Sequence, residues 1–200
     1  MDKNIENIIL NKKLKKHEKL SLILKYLFVD IAKISQDKYY ILGSFSIREY
    51  RQISDLDINL DQNEFYKLEQ LTKKNIGKLE FYGGQIRWFA DFTKEYNNLT
   101  NENELDFSIE AFQKKQTDGF PNKSFSLKAL RDNNEFEKNE DGHQFFNLKT
   151  LLKWKLTMNR EKDKIDIELI KNILAKNTKR IKVSKKVSKK VSKKVSKKKK

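Results

Sequence analysis

The run Asp55-Leu56-Asp57-Ile58-Asn59-Leu60 alternates an acid or amide with an aliphatic residue at every step. A strand sorts such a run onto two faces, because successive side chains point to opposite sides, whereas a helix would wind both kinds around one cylinder. The run predicts a half-buried strand, with Leu56 and Ile58 in a core and Asp55 and Asp57 together on the outer face. A lone strand is not stable, so partners must exist. The nearest is the apolar run Tyr39 to Leu42, which stops at Gly43-Ser44.

The same reading extends in both directions. Ile5 to Ile34 carries apolar residues at helical spacing and predicts a leading helix. Asp61 to Asn75 predicts another, with Phe65, Leu68 and Leu71 on one side. Strands are expected over Lys78 to Tyr82 and Gln85 to Phe92, joined by a Gly83-Gly84 hairpin turn. Further strands are expected over Leu105 to Phe112 and Ser124 to Leu130. After an acidic loop, Asn147 is placed to cap a helix running through Asn159. A last helix, Glu161 to Ala175, carries Ile165, Leu169 and Ile173 along one face. The sum is an α+β fold: a small mixed β-sheet flanked by helices, closed by a C-terminal helical pair.

Charge divides the chain. Of the net +16, residues 179 to 200 carry +13, from 12 Lys and Arg180 with no acid, leaving +3 for the other 178 residues. That tail repeats Val-Ser-Lys-Lys from Val183 to Lys198, and dense like charge predicts disorder in isolation. Such a polycation suits RNA or another polyanion through counterion release, or a nuclear address. Three segments follow: a helical segment 1–37, a domain 38–178 and the tail 179–200. Hydrophobic residues at 37% and 13 Phe supply enough apolar mass for that domain's core.

Absent residue types exclude whole chemistries. With no Cys there is no disulfide, thiolate metal site or Cys nucleophile, and two His exclude a histidine metal cluster. The longest apolar stretch, around Leu20 to Ile34, is broken by Lys25, Asp30 and Lys33, and the N-terminus lacks the pattern of a signal peptide. The expectation is an intracellular protein, cytoplasmic or nuclear, without a membrane partner.

Chemistry concentrates in residues 41 to 60. Gly43 at a strand end lets backbone approach a ligand, and Ser44 offers a hydroxyl and an amide where a short helix is expected, a pairing that suits a phosphate. Asp55 and Asp57 add two hard oxygen donors. Beside a phosphate they suit Mg²⁺, which accepts a few carboxylates and fills its remaining positions with phosphate oxygens and water. Two such ions about 4 Å apart would stabilise both oxygens of an in-line displacement at phosphorus.

Gly43, Ser44, Arg48, Asp55 and Asp57, in that order, resemble the signature of the nucleotidyltransferase superfamily of DNA polymerase beta type, especially its small members. A second stretch strengthens the resemblance: Lys155, then Arg160, Lys162, Asp163 and Asp166, looks like the Lys and Arg-x-Lys-Asp-x-x-Asp element of the family's closing helices. The likeness spans about residues 38 to 175. It departs at Gly-Ser-Phe-Ser-Ile-Arg, where the family more often has Gly-Ser-Arg-Ala-Arg-Gly. The resemblance implies a third carboxylate on a later strand: Asp106 is chosen, with Glu110 on the same face and Asp91 as the other candidate. It further implies magnesium-dependent transfer of a nucleoside monophosphate from a nucleoside triphosphate to a hydroxyl of RNA, protein or a small molecule. Asp55, Asp57 and Asp106 would hold one or two magnesium ions, Asp106 would help deprotonate the acceptor, and Gly43, Ser44, Arg48, Lys155 and Lys162 would meet the nucleotide. The alternative is a nucleotide- or nucleic-acid-binding module that keeps the fold without turnover.

Other conspicuous residues carry plainer expectations. Trp88 and Trp154 sit in apolar patterns and read as core. His143 reads as a turn residue, structural or exposed. His17 suggests no ligand role. Lys12, Lys13, Lys15 and Lys16 read as a solvated helix face.

Overall fold

The computed structural model describes residues 1–82, 85–113, 130 and 132–177. The chain divides into two compact units, Met1–Leu151 and Leu152–Lys200.

The first unit is built on a seven-stranded mixed sheet, and its strands are β1 (Tyr39–Ile41), β2 (Asp55–Leu60), β3 (Lys78–Tyr82), β4 (Gln85–Asp91), β5 (Ser108–Gln113), β6 (Phe136–Lys138) and β7 (Gln144–Phe146). They lie in the order β3-β4-β5-β2-β1-β7-β6. The expected pairing of the first two strands holds: Tyr39 faces Leu60 and Ile41 faces Ile58 in an antiparallel ladder. On its other edge β2 runs parallel to β5, with Asp55 opposite Ser108 and Asp57 opposite Glu110.

Helices cover one face of this sheet. They are α1 (Lys3–Leu10), α2 (Lys16–Lys25, running on into a π turn Tyr26–Ile31), α3 (Gln62–Phe65), α4 (Glu69–Lys73) and α5 (Thr93–Thr100). The leading helix is thus two helices. Asp2 caps α1 by accepting from the Asn4 amide at 2.8 Å, and Glu18 starts α2 afresh by accepting from the Lys15 amide at 2.6 Å. Ile5, Ile9, Leu24 and Phe28 share one core with Leu56, Ile58, Ile109 and Trp88. Phe28 meets both Tyr39 and Trp88 edge-on, with ring centroids 5.3 and 5.9 Å apart. Phe65, Leu68 and Leu71 are buried as expected. Gly77 follows α4 at φ +66°, and a Cβ there would lie 2.6 Å from the Trp88 ring. Only glycine allows the indole that close.

Two strand assignments differ from the sequence reading, and of the two readings left open for His143 the structural one holds. The acidic stretch after residue 135 holds the hairpin β6–β7, whose three-residue strands are too short to display a period. Its turn keeps His143 fully buried, its Nδ1 2.7 Å from the Tyr39 hydroxyl and its Nε2 3.0 Å from the Ser21 carbonyl oxygen. The strand expected near residue 106 starts only at Ser108. The Gly83-Gly84 turn, the expected strand Ser124 to Leu130 except for Leu130 itself, and the tail 179–200 lie outside the described residues.

Helix α6 (Leu148–Met158) begins in the first unit, where Asn147 Oδ1 accepts from the Thr150 amide at 2.9 Å, the cap anticipated from sequence. In the second unit the chain turns at Asn159, passes one 3₁₀ turn (Glu161–Asp163) and continues as α7 (164–177), completing the helical pair. The inward face of α7 differs from expectation. Asp166, Ile170 and Ile173 are buried, whereas Ile165 is 79% exposed. Asp163 and Asp166 turn inward to hold Lys155, and that rotation points Ile165 at solvent.

Candidate functional site

Strand parity places the acids. Residues opposite one another in a ladder share a face, so the side of the sheet away from Trp88 carries Asp55, Ser108 and Asp91 in one row and Asp57, Glu110 and Phe89 in the next, across β2, β5 and β4. Neighbours within a row stand about 5 Å apart on adjacent strands, and the two rows about 7 Å apart along them. Asp106, just ahead of β5, accepts a hydrogen bond from Ser108 Oγ at 2.6 Å and joins the same side. All three candidates for the third carboxylate thus flank Asp55 and Asp57, but their partners differ. Glu110 accepts from Arg87 Nη1 at 2.7 Å, and Asp91 accepts from the Thr93 amide at 2.9 Å. Asp106 takes the Ser108 hydroxyl.

The electrostatics reflect crowding. Burial raises the Asp106 carboxyl above the ordinary carboxylate range, and Asp55 and Asp91 push it further against the Ser108 hydrogen bond. Burial also raises Glu110, which the Arg87 hydrogen bond opposes and the charges of Asp55 and Asp106 reinforce. Like charge has been gathered on one face against its own repulsion.

The glycine corner lies alongside. Gly43 sits at φ +64°, and a Cβ there would come 3.5 Å from Asp57 Oδ2. The Leu42 amide donates to the Asp57 carbonyl at 2.7 Å, extending the β1–β2 ladder to the corner. Ser44 lies in the short 3₁₀ turn Gly43–Ile47. Arg48 follows, with its guanidinium carbon 4.6 Å from the Phe45 ring centroid and 4.4 Å from that of Phe145, and its Nη1 donating to the Phe45 carbonyl at 3.2 Å.

The basic residues of the second motif are in the second unit. Lys155, expected to meet phosphate, is buried, with Nζ 2.7 Å from Asp163 Oδ1 and 2.8 Å from Asp166 Oδ2. Arg160 Nε donates to Asp163 Oδ2 at 2.6 Å. Burial alone would raise Asp163, but the hydrogen bonds from Arg160 and Lys155 outweigh it and hold the carboxyl below its ordinary range. The motif is an internal ion cluster. Lys162 is exposed.

Sequence reasoning passed over Arg87, which ties Glu80 and Glu110 together while lying 4.7 Å from the Phe89 ring. The alternation of β4 carried the signal, since Arg87 and Asp91 share the parity of Glu110. It also misjudged the start of α2, where Lys16 is buried rather than solvated, as are its neighbours His17 and Lys19. Lys16 and Lys19 occupy the first two places of the stripe continued by Leu20 and Ile23.

Hard carboxylate oxygens crowded on one face are the donor set that magnesium takes, and a cation there would relieve the repulsion that raises Asp106. Their chemistry is of the kind such an ion takes, although among the described residues no group of three His, Cys, Asp or Glu is placed to hold a metal ion. Comparison with family models, with curated proteins and with solved structures yields no match.

Proposed function

We propose that the protein is a magnesium-dependent nucleotidyltransferase of the DNA polymerase beta type, which moves a nucleoside monophosphate from a nucleoside triphosphate to an acceptor hydroxyl. The observation that carries this reading is the gathering of Asp55, Asp57 and Asp106 on one face of the sheet beside the Gly43 corner.

Asp55, Asp57 and Asp106 would hold magnesium, which when bound supplies positive charge to offset that developing on the phosphate and pyrophosphate oxygens. The chain's residues do the rest. Gly43, without a side chain, takes the left-handed turn that brings the backbone beside Asp57, where a phosphate would be met. Asp106, as the family resemblance implies, would help take the acceptor's proton as the new oxygen–phosphorus bond forms and the bond to pyrophosphate breaks. Arg48, lying against the Phe45 and Phe145 rings, is a pre-oriented cation that offsets phosphate charge without losing further side-chain freedom. Lys155 has no such task here, because two carboxylates already take its ammonium.

The test is transfer of label from each α-labelled triphosphate to total RNA or to protein. Wild-type protein should transfer label in magnesium and not in EDTA, and Asp55→Asn with Asp57→Asn should abolish transfer while the fold persists. If wild type binds nucleotide yet labels no acceptor, the binding-module alternative replaces this reading.

A further inference from the structure

We propose that the first unit carries a second site, a cationic cavity between α1, α2, α5 and the 48–53 segment, that takes a ligand bearing two or more phosphate groups. It shares only Arg48 with the site proposed above and requires no metal.

The cavity encloses about 800 Å³, within the range of small-molecule sites. Its cations are Lys12, Lys15, Lys16, Lys19, Arg48 and Arg51, with His17 beside them, against three carboxylates, Glu49 and Glu102 on the lining and Glu104 paired with Lys16. Lysine is among the residues least often buried, yet Lys16 and Lys19 are only 9% and 6% exposed, and His17 only 7%. These residues form the floor, while Lys12, Lys15 and Arg51 stand exposed at the rim.

The internal contacts soften this charge without cancelling it. Lys19 Nζ donates to the Ile9 carbonyl at 2.6 Å, a dipole rather than a counter-charge. Lys16 pairs with Glu104, but its ammonium makes no well-formed hydrogen bond. Both ammonium groups lie near the Tyr96 ring, 5.4 and 5.3 Å from its centroid. Glu49 is shared between Lys15 at 3.0 Å and His17 at 3.4 Å. Burial drives Lys19 below its ordinary range and Lys16 adds to the effect, while Glu102 opposes it. Desolvated, like-signed heads around one cavity are what a polyanion repays. A ligand of single charge would satisfy part of the ring, whereas linked phosphates engage floor and rim together.

The chain has only two histidines, which makes a direct readout available. Ring signals of His17 and His143 in the full chain are followed by NMR in EDTA, during titration with inorganic tripolyphosphate and, separately, with a short single-stranded oligouridylate. The expected result is a saturable shift of the His17 ring and a rise in its pKa, because an anion joins Glu49 and Glu18 against Arg48, Lys15 and the burial that now lowers it. His143, buried elsewhere, stays still. Whichever probe saturates at lower concentration identifies the source of the phosphates. Lys12→Gln with Arg51→Gln, both at the exposed rim, should weaken binding about tenfold or more, a loss of roughly 1.4 kcal/mol or more, while His143 reports an intact fold. Lys19→Gln should weaken it further where that variant folds. If either probe binds by calorimetry while His17 does not move, the anion sits elsewhere, in the lysine-rich tail for instance, and the proposal is overturned. It is equally overturned if neither probe binds, or if sodium chloride moves both rings as much. None of these outcomes depends on label transfer, so this site and the catalytic reading fail separately.

Discussion

Replacing Lys155 with Met decides between two roles for the basic residue of the closing helices. The side chains of Lys155, Asp163 and Asp166 are only 2–3% exposed, so the substitution leaves two carboxylates out of water without the ammonium between them. Removing one partner from a buried ion pair costs about 3–5 kcal/mol. Arg160 still reaches Asp163 at 2.6 Å from a half-exposed position, which argues for the lower end, about 3 kcal/mol. With a urea slope of about 2 kcal/mol per molar, the unfolding midpoint should fall by roughly 1.5 M. The pH dependence follows from Asp163. In wild type its carboxyl lies below the ordinary range, so its stabilising contribution is full above that range and lost as pH falls through the folded value. Without Lys155, burial raises that carboxyl, so the deficit of the variant is greatest at neutral pH and narrows on acidification. Urea unfolding at pH 7 and pH 4.5, followed by circular dichroism and by Trp154 emission, measures both effects. A midpoint within about 0.3 M of wild type, together with weakened nucleotide binding, would refute the structural assignment and return Lys155 to the phosphate.

Asp106→Asn should melt higher than wild type at neutral pH while losing label transfer. A carboxyl whose folded pKa is raised weakens the fold as pH climbs past its ordinary value, and the amide removes that penalty; thermal melts at pH 7 and 4 should show the gap closing on acidification. Gly77→Ala combines a left-handed backbone with a Cβ 2.6 Å from the Trp88 ring. It should cost about 2–4 kcal/mol, read from urea unfolding and a shifted Trp88 emission. Deleting residues 179–200 should lower polyanion affinity and flatten its salt dependence, measured by titration at two ionic strengths, while label transfer survives.

Parity made the acidic strand legible. Six alternating residues specify two faces without knowledge of any partner, and the structure puts Leu56 and Ile58 in the core and Asp55 outside. The third carboxylate was not legible in the same way. Choosing among Asp91, Asp106 and Glu110 requires the order β4-β5-β2 and the register across each edge, and residues 53 positions apart across β2–β5 and 17 to 25 across β4–β5 carry no periodic trace of either. Lys16 was misread, and Lys19 passed over, because long cationic side chains normally snorkel to water. Here α5 places Tyr96 over them, and a long-range contact of that kind leaves no mark on the spacing of α2. Ile165 failed for a related reason: an apolar stripe competed with two aspartates for the inside of α7, and the buried ammonium decided the matter.

One connection joins the two charged regions of the first unit. Between β1 and β2, residues 42 to 54 contribute Gly43 beside Asp57, Arg48 against Phe45 and Phe145, Glu49 to Lys15 and His17, and Arg51 to the cavity rim. What a motif search treats as a spacer therefore separates opposite fields. Were the cavity's lysines on the acidic face, they would pair with Asp55, Asp57 and Asp106, and a divalent cation would have to displace them to bind. Were the acids in the cavity, they would cancel the charge that phosphate needs. Under the two readings proposed above, holding them apart on either side of a short connection would let each attract its own ion, and Arg48, on that connection, lines the cavity while Glu49 and Glu137 act on its charge.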